Sequence, residues 1–325
     1  MVEGFNGIPV KPITPAVIIR GSRLGISDIK IILKDRKRNA INKAISKMAK
    51  QNKNVITTIP PTPMTLFLIS TNICHPQMAN HELSGPLVWS MLYRILKNTG
   101  PHNYTYRFLI CPENIGSAAF LHKNKNNVKN IIAGYVINCV GYGNEFNYKK
   151  SRNGNTITDR AALNVLKNSN FKFNILNFEP WGSDEKQFCS PGFNLPIGLI
   201  MRKTYGGFKE YHTSLDNEKL INFNTIIQSI KVYYDVLLSI ENNFTPLGKI
   251  QYGTPQLSKS PIKLYRGIGN YTVKKMELSQ LNMLKILNLA DGTKDLLEIS
   301  NDSKFKLIDY LGLINDLIKS GYIKK

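Results

Sequence analysis

"TNICHPQMANHELSGPLVWSMLYRIL", Thr71 to Leu96, decides the fold. It follows the continuous apolar run "TLFLIST" (Thr65 to Thr71), which has strand length and no alternation, as in a sheet buried on both faces. After the loop, Leu87, Val88, Met91, Leu92, Ile95 and Leu96 recur at helical spacing, Pro86 fits the first turn and Gly100 ends the segment. Between strand and helix the chain places His75, His81 and Glu82. A strand-to-helix loop rich in such groups is where open α/β sheets bind ligands.

The same alternation continues along the chain. "YRFLIC" (Tyr106 to Cys111), "NIIAGYVINCVG" (Asn130 to Gly141) and "LPIGLIM" (Leu195 to Met201) read as strands. "ENIGSAAFLHK", "TDRAALNVLKN" with Thr158 as its cap, and the long stretch Asn217 to Asn243 read as helices. Upstream, Asp28 to Lys34 and Asn54 to Ile59 read as strands around a basic helix, Asp35 to Gln51. The pattern predicts a three-layer α/β domain over residues 1–253. A Pro/Ser/Lys linker over 254–267 follows, and then three helices and a short strand over 268–325 that suggest a winged helix.

With 325 residues, the chain is long enough for one large and one small domain. No run approaches the roughly 20 apolar residues of a membrane helix, and the first residues show no secretory h-region. The four cysteines are scattered without a CxxC pair, which fits buried thiols in a reducing, cytoplasmic setting. The net charge is +21, but Lys, Asn and Ile are abundant throughout, as in AT-rich coding sequence, and the charge is spread out. The third C-terminal helix mixes Lys304, Lys306 and Lys319 with Asp309 and Asp316, which argues against nucleic acid and for dimerisation or packing.

Three loops each deliver chemistry to one predicted rim. His75 and Glu82 follow the first strand, Glu113 the second, and His212 in "EYHTSLDN" the last. His75, Glu82 and His212 supply the His-Glu-His set that a zinc hydrolase needs, with Glu113 as the candidate base. Asp184 in "GSDEKQF" is placed to orient a ligand histidine. His81 either reaches the ion or borders the site, and His102 and His122 read as solvent-facing. In "SRNGNTITDR", Arg152 or Arg160 clamps a substrate carboxylate, or Arg160 pairs with an acid such as Asp159. The Gly-rich stretches lack a dinucleotide-binding context, and no serine sits in a nucleophile elbow.

Taken in order, "ISTNICHPQMANHELSGP", "RFLICPENIGSAAFL", "GYVINCVG", "SRNGNTITDRAAL", "GSDEKQFCSPGFNLPIGLIMR" and "EYHTSLDN" closely resemble a bacterial family with an aminopeptidase-like domain. That family is related to the M28 zinc aminopeptidases and carries a C-terminal winged helix, and the resemblance runs from about Leu66 to the end. It implies a phosphorylase/hydrolase-like α/β domain and a zinc peptidase site. His75 resembles the first metal histidine and His212 the last. "NHELSG" resembles the stretch with the bridging acid, whose place His81 takes in strict register, Glu82 being the carboxylate beside it. "PENIGS" resembles a segment with two adjacent glutamates, of which Glu113 remains, and Asp184 matches the family's "SD". Gln77 stands where an aspartate is usual, and Asn138 or Cys139 where a third metal acid is usual, so the resemblance implies one ion rather than two. The expected activity is hydrolysis of an amide bond in a small peptide or a modified amino acid or amino sugar. The alternative is an inactive member that binds or regulates through its winged helix. The expected partners are that substrate and a second copy of the chain, joined through the C-terminal domain.

Overall fold

The computed structural model describes residues 65–75, 77–99, 102–260, 264 and 278–325, with residues 17–19 described by their backbone. The strands expected over 28–34 and 54–59, the basic helix between them and part of the linker lie outside the described residues.

Seven strands form one mixed sheet: β1 (Val17–Ile19), β2 (Leu66–Asn72), β3 (Thr105–Cys111), β4 (Ile131–Ile137), β5 (Glu145–Lys149), β6 (Lys172–Leu176) and β7 (Ile197–Met201). Their order is β1-β3-β2-β4-β7-β5-β6. β3, β2, β4 and β7 are parallel, so their carboxyl ends share one rim. β1 runs antiparallel to β3. β5 runs antiparallel to β7, and β6 follows it in parallel, so the carboxyl ends of β5 and β6 open at the opposite rim.

Helices α1 (Ser84–Thr99), α3 (Ile157–Lys167) and α5 (Phe223–Glu241) cover one face. Val88, Trp89, Leu92 and Ile95 of α1 pack there with Val165 of α3 and Ile226, Ile230 and Tyr233 of α5. On the other face, α2 (Ile115–Lys123) and the single turn α4 (Glu185–Phe188) contribute Phe120, Leu121 and Phe188 to a separate core. The architecture is the expected three-layer α/β domain. No helix among the described residues is long and apolar enough to cross a membrane.

Three local features differ from expectation. The polar alternation of β5 hides it from a hydropathy reading, because Asn147 and Lys149 are buried and paired: Asn147 donates to Arg202 O at 2.9 Å and Lys149 to Glu185 Oε1 at 2.8 Å. α3 is capped by Thr156, not Thr158. The capping box closes with Asp159, whose carboxylate also accepts from Ser151 N, Ser151 Oγ and Tyr148 OH. Thr158 instead points inward and donates to Pro196 O at 2.7 Å. His102 is half-buried rather than solvent-facing, and its Nε2 donates to Leu96 O at 2.7 Å, whereas His122 is exposed as expected.

The C-terminal helices α6 (Leu278–Asn288), α7 (Leu296–Ser303) and α8 (Leu311–Lys319) pack onto α3 and α5. β8 (Leu247–Gly248), just past α5, pairs antiparallel with β9 (Ile323–Lys324), so "YIKK" does form a strand. Asn164 on α3 is the main polar fastener. Its Nδ2 donates to Ser300 Oγ, Asn301 Oδ1 and Phe305 O at 3.0–3.1 Å, and its Oδ1 accepts from Leu307 N at 2.9 Å. Arg160–Asp295 and Lys306–Asp235, each 2.6 Å, flank it. This helical unit thus has a packing role within the chain. Removing a fully satisfied buried amide leaves several groups unpaired, so Asn164→Ala is expected to lower unfolding stability by about 2–4 kcal/mol, read as an earlier urea midpoint.

Candidate metal centre

The loop after β2 folds into a π-helical turn, Ala79–Leu83, that runs straight into α1. The "SG" that follows explains the tight fit. Ser84 Oγ donates to Asn80 O at 2.5 Å and accepts from Val140 N at 3.0 Å. A Cβ on Gly85 would collide with Ile137 O and Thr71 Oγ1, so only glycine lets the helix start this close to the sheet.

The turn is anchored from far along the chain. Ala79 N donates to Asp216 O at 2.9 Å, Asn80 N to Asp216 Oδ1 at 2.6 Å and His81 N to Asp216 Oδ2 at 3.0 Å. Asp216 is buried and lies four residues past His212. It therefore brings the loop of His212 against the turn of His81. The rings of His75 and His81 each lie 4.9 Å from that of His212, centroid to centroid. Each of the three histidines offers a nitrogen, and all three nitrogens lie within 4.8 Å of one another.

Glu82 sits beneath this cluster, fully buried. Its Oε2 accepts from Cys74 N at 2.6 Å, and its Oε1 lies 3.1 Å from both His75 Nδ1 and His81 Nε2. The His75 contact is an aligned hydrogen bond, and the buried His81 Nε2 makes an ion-pair contact with the same oxygen. Burial alone would raise the Glu82 carboxyl, but the His81 ring, the Cys74 N–H and His75 outweigh it and hold the pKa down to about 2. Partial burial and the neighbouring His81 and His75 lower the pKa of His212, which favours the neutral imidazole that metals bind.

The donor chemistry fits a borderline cation such as zinc: three imidazoles converge, and a buried carboxylate contacts two of the rings. The sequence reading placed Glu82 in the ligand set and left His81 open. The geometry brings His81 into the cluster and keeps Glu82 against it, with Oε1 3.1 Å from both His75 Nδ1 and His81 Nε2.

Glu113 is half-buried at the end of β3, and its charge acts on His212 and Tyr211. Asp184 was expected to orient a histidine, but its Oδ1 accepts from Asn114 N and Ser117 Oγ, both at 2.7 Å, and so fixes the turn that carries Glu113. Asn114, Cys139 and His212 all have left-handed backbones, with φ of 60°, 50° and 57°. Such residues each cost roughly 1–3 kcal/mol and cluster at functional sites. Arg152 and Arg160 follow β5 and stand at the opposite rim. Arg152 is exposed and Arg160 is paired with Asp295, so neither clamps a ligand at the histidines. All four cysteines are free, and Cys74 is exposed where burial was expected.

Sequence reasoning missed Asp216, although it stands within the "EYHTSLDN" motif. It also missed an aromatic group against the histidines. Tyr211 stacks on His212 at 4.0 Å and meets His81 edge-on at 5.2 Å, with Tyr205 beside it.

Residues 56–243 match the family described as "Domain of unknown function (DUF4910)", and residues 245–325 match a winged helix-turn-helix family. The chain belongs to the first family and carries the second as its C-terminal domain. A Clostridium acetobutylicum protein, named for polysaccharide biosynthesis and an aminopeptidase-like domain, is 40% identical over 246 residues, 75% of this chain and 55% of that one. A solved structure named as a peptidase, from the same organism, superposes with a TM-score of 0.71 at 35% identity, over 82% of this chain and 58% of that chain. The fold is thus aminopeptidase-like, and the chain spans little more than half the length of these relatives.

Asp184 gives a pH signature. Burial pushes its carboxyl up to about 7, from an ordinary value of 3.8. The folded state therefore holds this proton more tightly than the unfolded state. The resulting stability is full below about pH 4 and is lost as pH rises through about 7. Asp184→Asn is expected to lose that decline, so its urea midpoint should gain on the native protein's between pH 4 and pH 8.

Proposed function

We propose that this chain is a zinc-dependent hydrolase of an amide bond, with one ion held by His75, His81 and His212. The observation that carries the reading is the convergence of three imidazoles from two distant loops, with a glutamate from a third loop beside them. The peptidase name of the similar solved structure and the aminopeptidase-like domain of the relative support it.

When bound, zinc supplies Lewis acidity: it polarises a carbonyl oxygen and makes a nearby water more acidic. The protein's own part is positional and protonic. Glu82 accepts from His75 Nδ1, which fixes the orientation of the ring. Glu113 takes the proton from the attacking water and returns it to the leaving amine. Asp184 holds the Asn114 turn and with it the carboxylate of Glu113. The substrate class is a small peptide or an amide of a modified amino acid or amino sugar, in line with the relative's polysaccharide-biosynthesis name.

Elemental analysis of the purified chain tests the reading. About one zinc per chain is expected, lost on His75→Ala, His81→Ala or His212→Ala. Glu113→Gln should keep its zinc and lose about 100- to 10,000-fold in the rate of amide cleavage. Full zinc content in all three alanine variants sinks the metal assignment, and undiminished turnover in Glu113→Gln sinks the base.

A further inference from the structure

Trp181 is 57% exposed, in a chain whose other tryptophan, Trp89, is buried. It does not hang loosely. Gly182 behind it turns the chain with φ of +114°, a left-handed angle, and a Cβ there would press on Glu185 Oε1. The buried Lys149 donates to Trp181 O and places its ammonium 5.6 Å from the indole centroid, while its charge is balanced by Glu185 at 2.8 Å. A surface indole is thus fixed in place by buried groups.

From that indole an aromatic wall runs to the histidines. Trp181 meets Tyr205 at 6.4 Å, Tyr205 meets Tyr211 at 6.1 Å and His81 at 6.1 Å, and Tyr211 stacks on His212. Ile73, Leu83, Ile115 and Leu215, each within three residues of His75, Glu82, Glu113 or His212, are also exposed. Half of the ten exposed large apolar side chains among the described residues, Trp181 included, are therefore carried by the segments that bear this site or its aromatic wall. A bound cation explains the polar centre of the rim but gives no reason for its apolar edge.

We propose that Trp181, with Tyr205 and Tyr211, forms a subsite that stacks the face of a six-membered ring on the substrate, next to the amide held at the histidines. The proposal rests on the reading of this rim as an amide-hydrolase site and adds the shape of the group beside the amide. Flat, rigid surfaces select a ring over a flexible chain, because stacking gains contact with little ordering of the protein. An aromatic side chain and a sugar ring share this chemistry.

The test uses the zinc-loaded chain and follows Trp181 emission, taken as the tryptophan signal less that of Trp181→Phe, in which only Trp89 emits, while N-acetyl-phenylalaninamide, an N-acetylglucosaminyl amide or ringless N-acetyl-glycinamide is added. At least one ring-bearing amide is expected to quench Trp181 and to bind roughly fivefold to tenfold tighter than the ringless one. Calorimetric titration of Trp181→Ala should find that difference gone, and of Trp181→Phe should find most of it kept. The arm that binds tells aryl from sugar. Equal binding of ringed and ringless amides, or a preference that survives in Trp181→Ala, overturns the subsite. Ring-selective binding without cleavage upholds the subsite and removes the hydrolase reading alone. Cleavage that ignores the ring upholds the hydrolase and removes the subsite alone.

Discussion

Three consecutive N–H groups at the start of a π-helical turn all end on one residue, Asp216. The first N–H groups of any helical turn have no partner within the turn, and a negative charge there is favourable. Most chains meet this need with a local serine or aspartate cap. Here the cap comes from about 135 residues away, and it is the residue that ends the His212 loop. One buried carboxylate thus satisfies the backbone of one loop and sets the distance between two loops. The approach of His212 to His75 and His81 follows from it. So does the left-handed backbone of His212, since a loop pinned four residues further on has little freedom to relax.

This arrangement also explains which parts of the molecule the amino-acid order discloses. β2, β3, β4 and β7 are mostly apolar, with Arg107 as the one charge among them, because both faces of the sheet are covered, and such runs can be read directly. β5 is as deeply placed, but Asn147 and Lys149 hide it, since their burial is made tolerable by partners that are distant in sequence. His75 and His212 stand out as histidines after strands. The place of His81 could not be read, because it depends on whether the loop coils as a π turn, and that depends on Asp216. Arg160 presents the reverse case. Its position after a loop suggests a ligand clamp, but the direction of β5, which its local sequence does not reveal, sends it to the far rim and onto Asp295.

The same logic applies to the C-terminal domain. Its helices carry the apolar spacing of a winged helix, and that is visible. What the spacing does not say is which surface they cover. Asn164 answers this with a buried amide whose donor and acceptor capacity is spent on Ser300, Asn301, Phe305 and Leu307. Lys306, counted in the sequence as one of the basic groups of a helix that could face nucleic acid, instead reaches Asp235 on α5. Part of the positive charge is therefore committed inside the chain, where it serves packing rather than a polyanion.

The replacement of acids by neutral groups at the rim has an electrostatic consequence. Asn138, where the resemblance would place a metal acid, donates to Asn72 Oδ1 at 3.1 Å, and Asn114 gives its N–H to Asp184. Neither brings negative charge to the histidines. Glu82 does, but its oxygens are engaged by Cys74 N and His75 Nδ1. A cation held by imidazoles alone would keep more of its charge than one neutralised by carboxylates, and Glu82, in contact with two of the rings, would offset that charge. Such a centre needs its counter-charge buried, since a solvated carboxylate would be screened and its ring contact loosened. The full burial of Glu82 and its carboxyl pKa near 2 meet that need. Neutral imidazoles with a buried anion against them would suit such a cation, and their arrangement depends on the same turn that Asp216 holds.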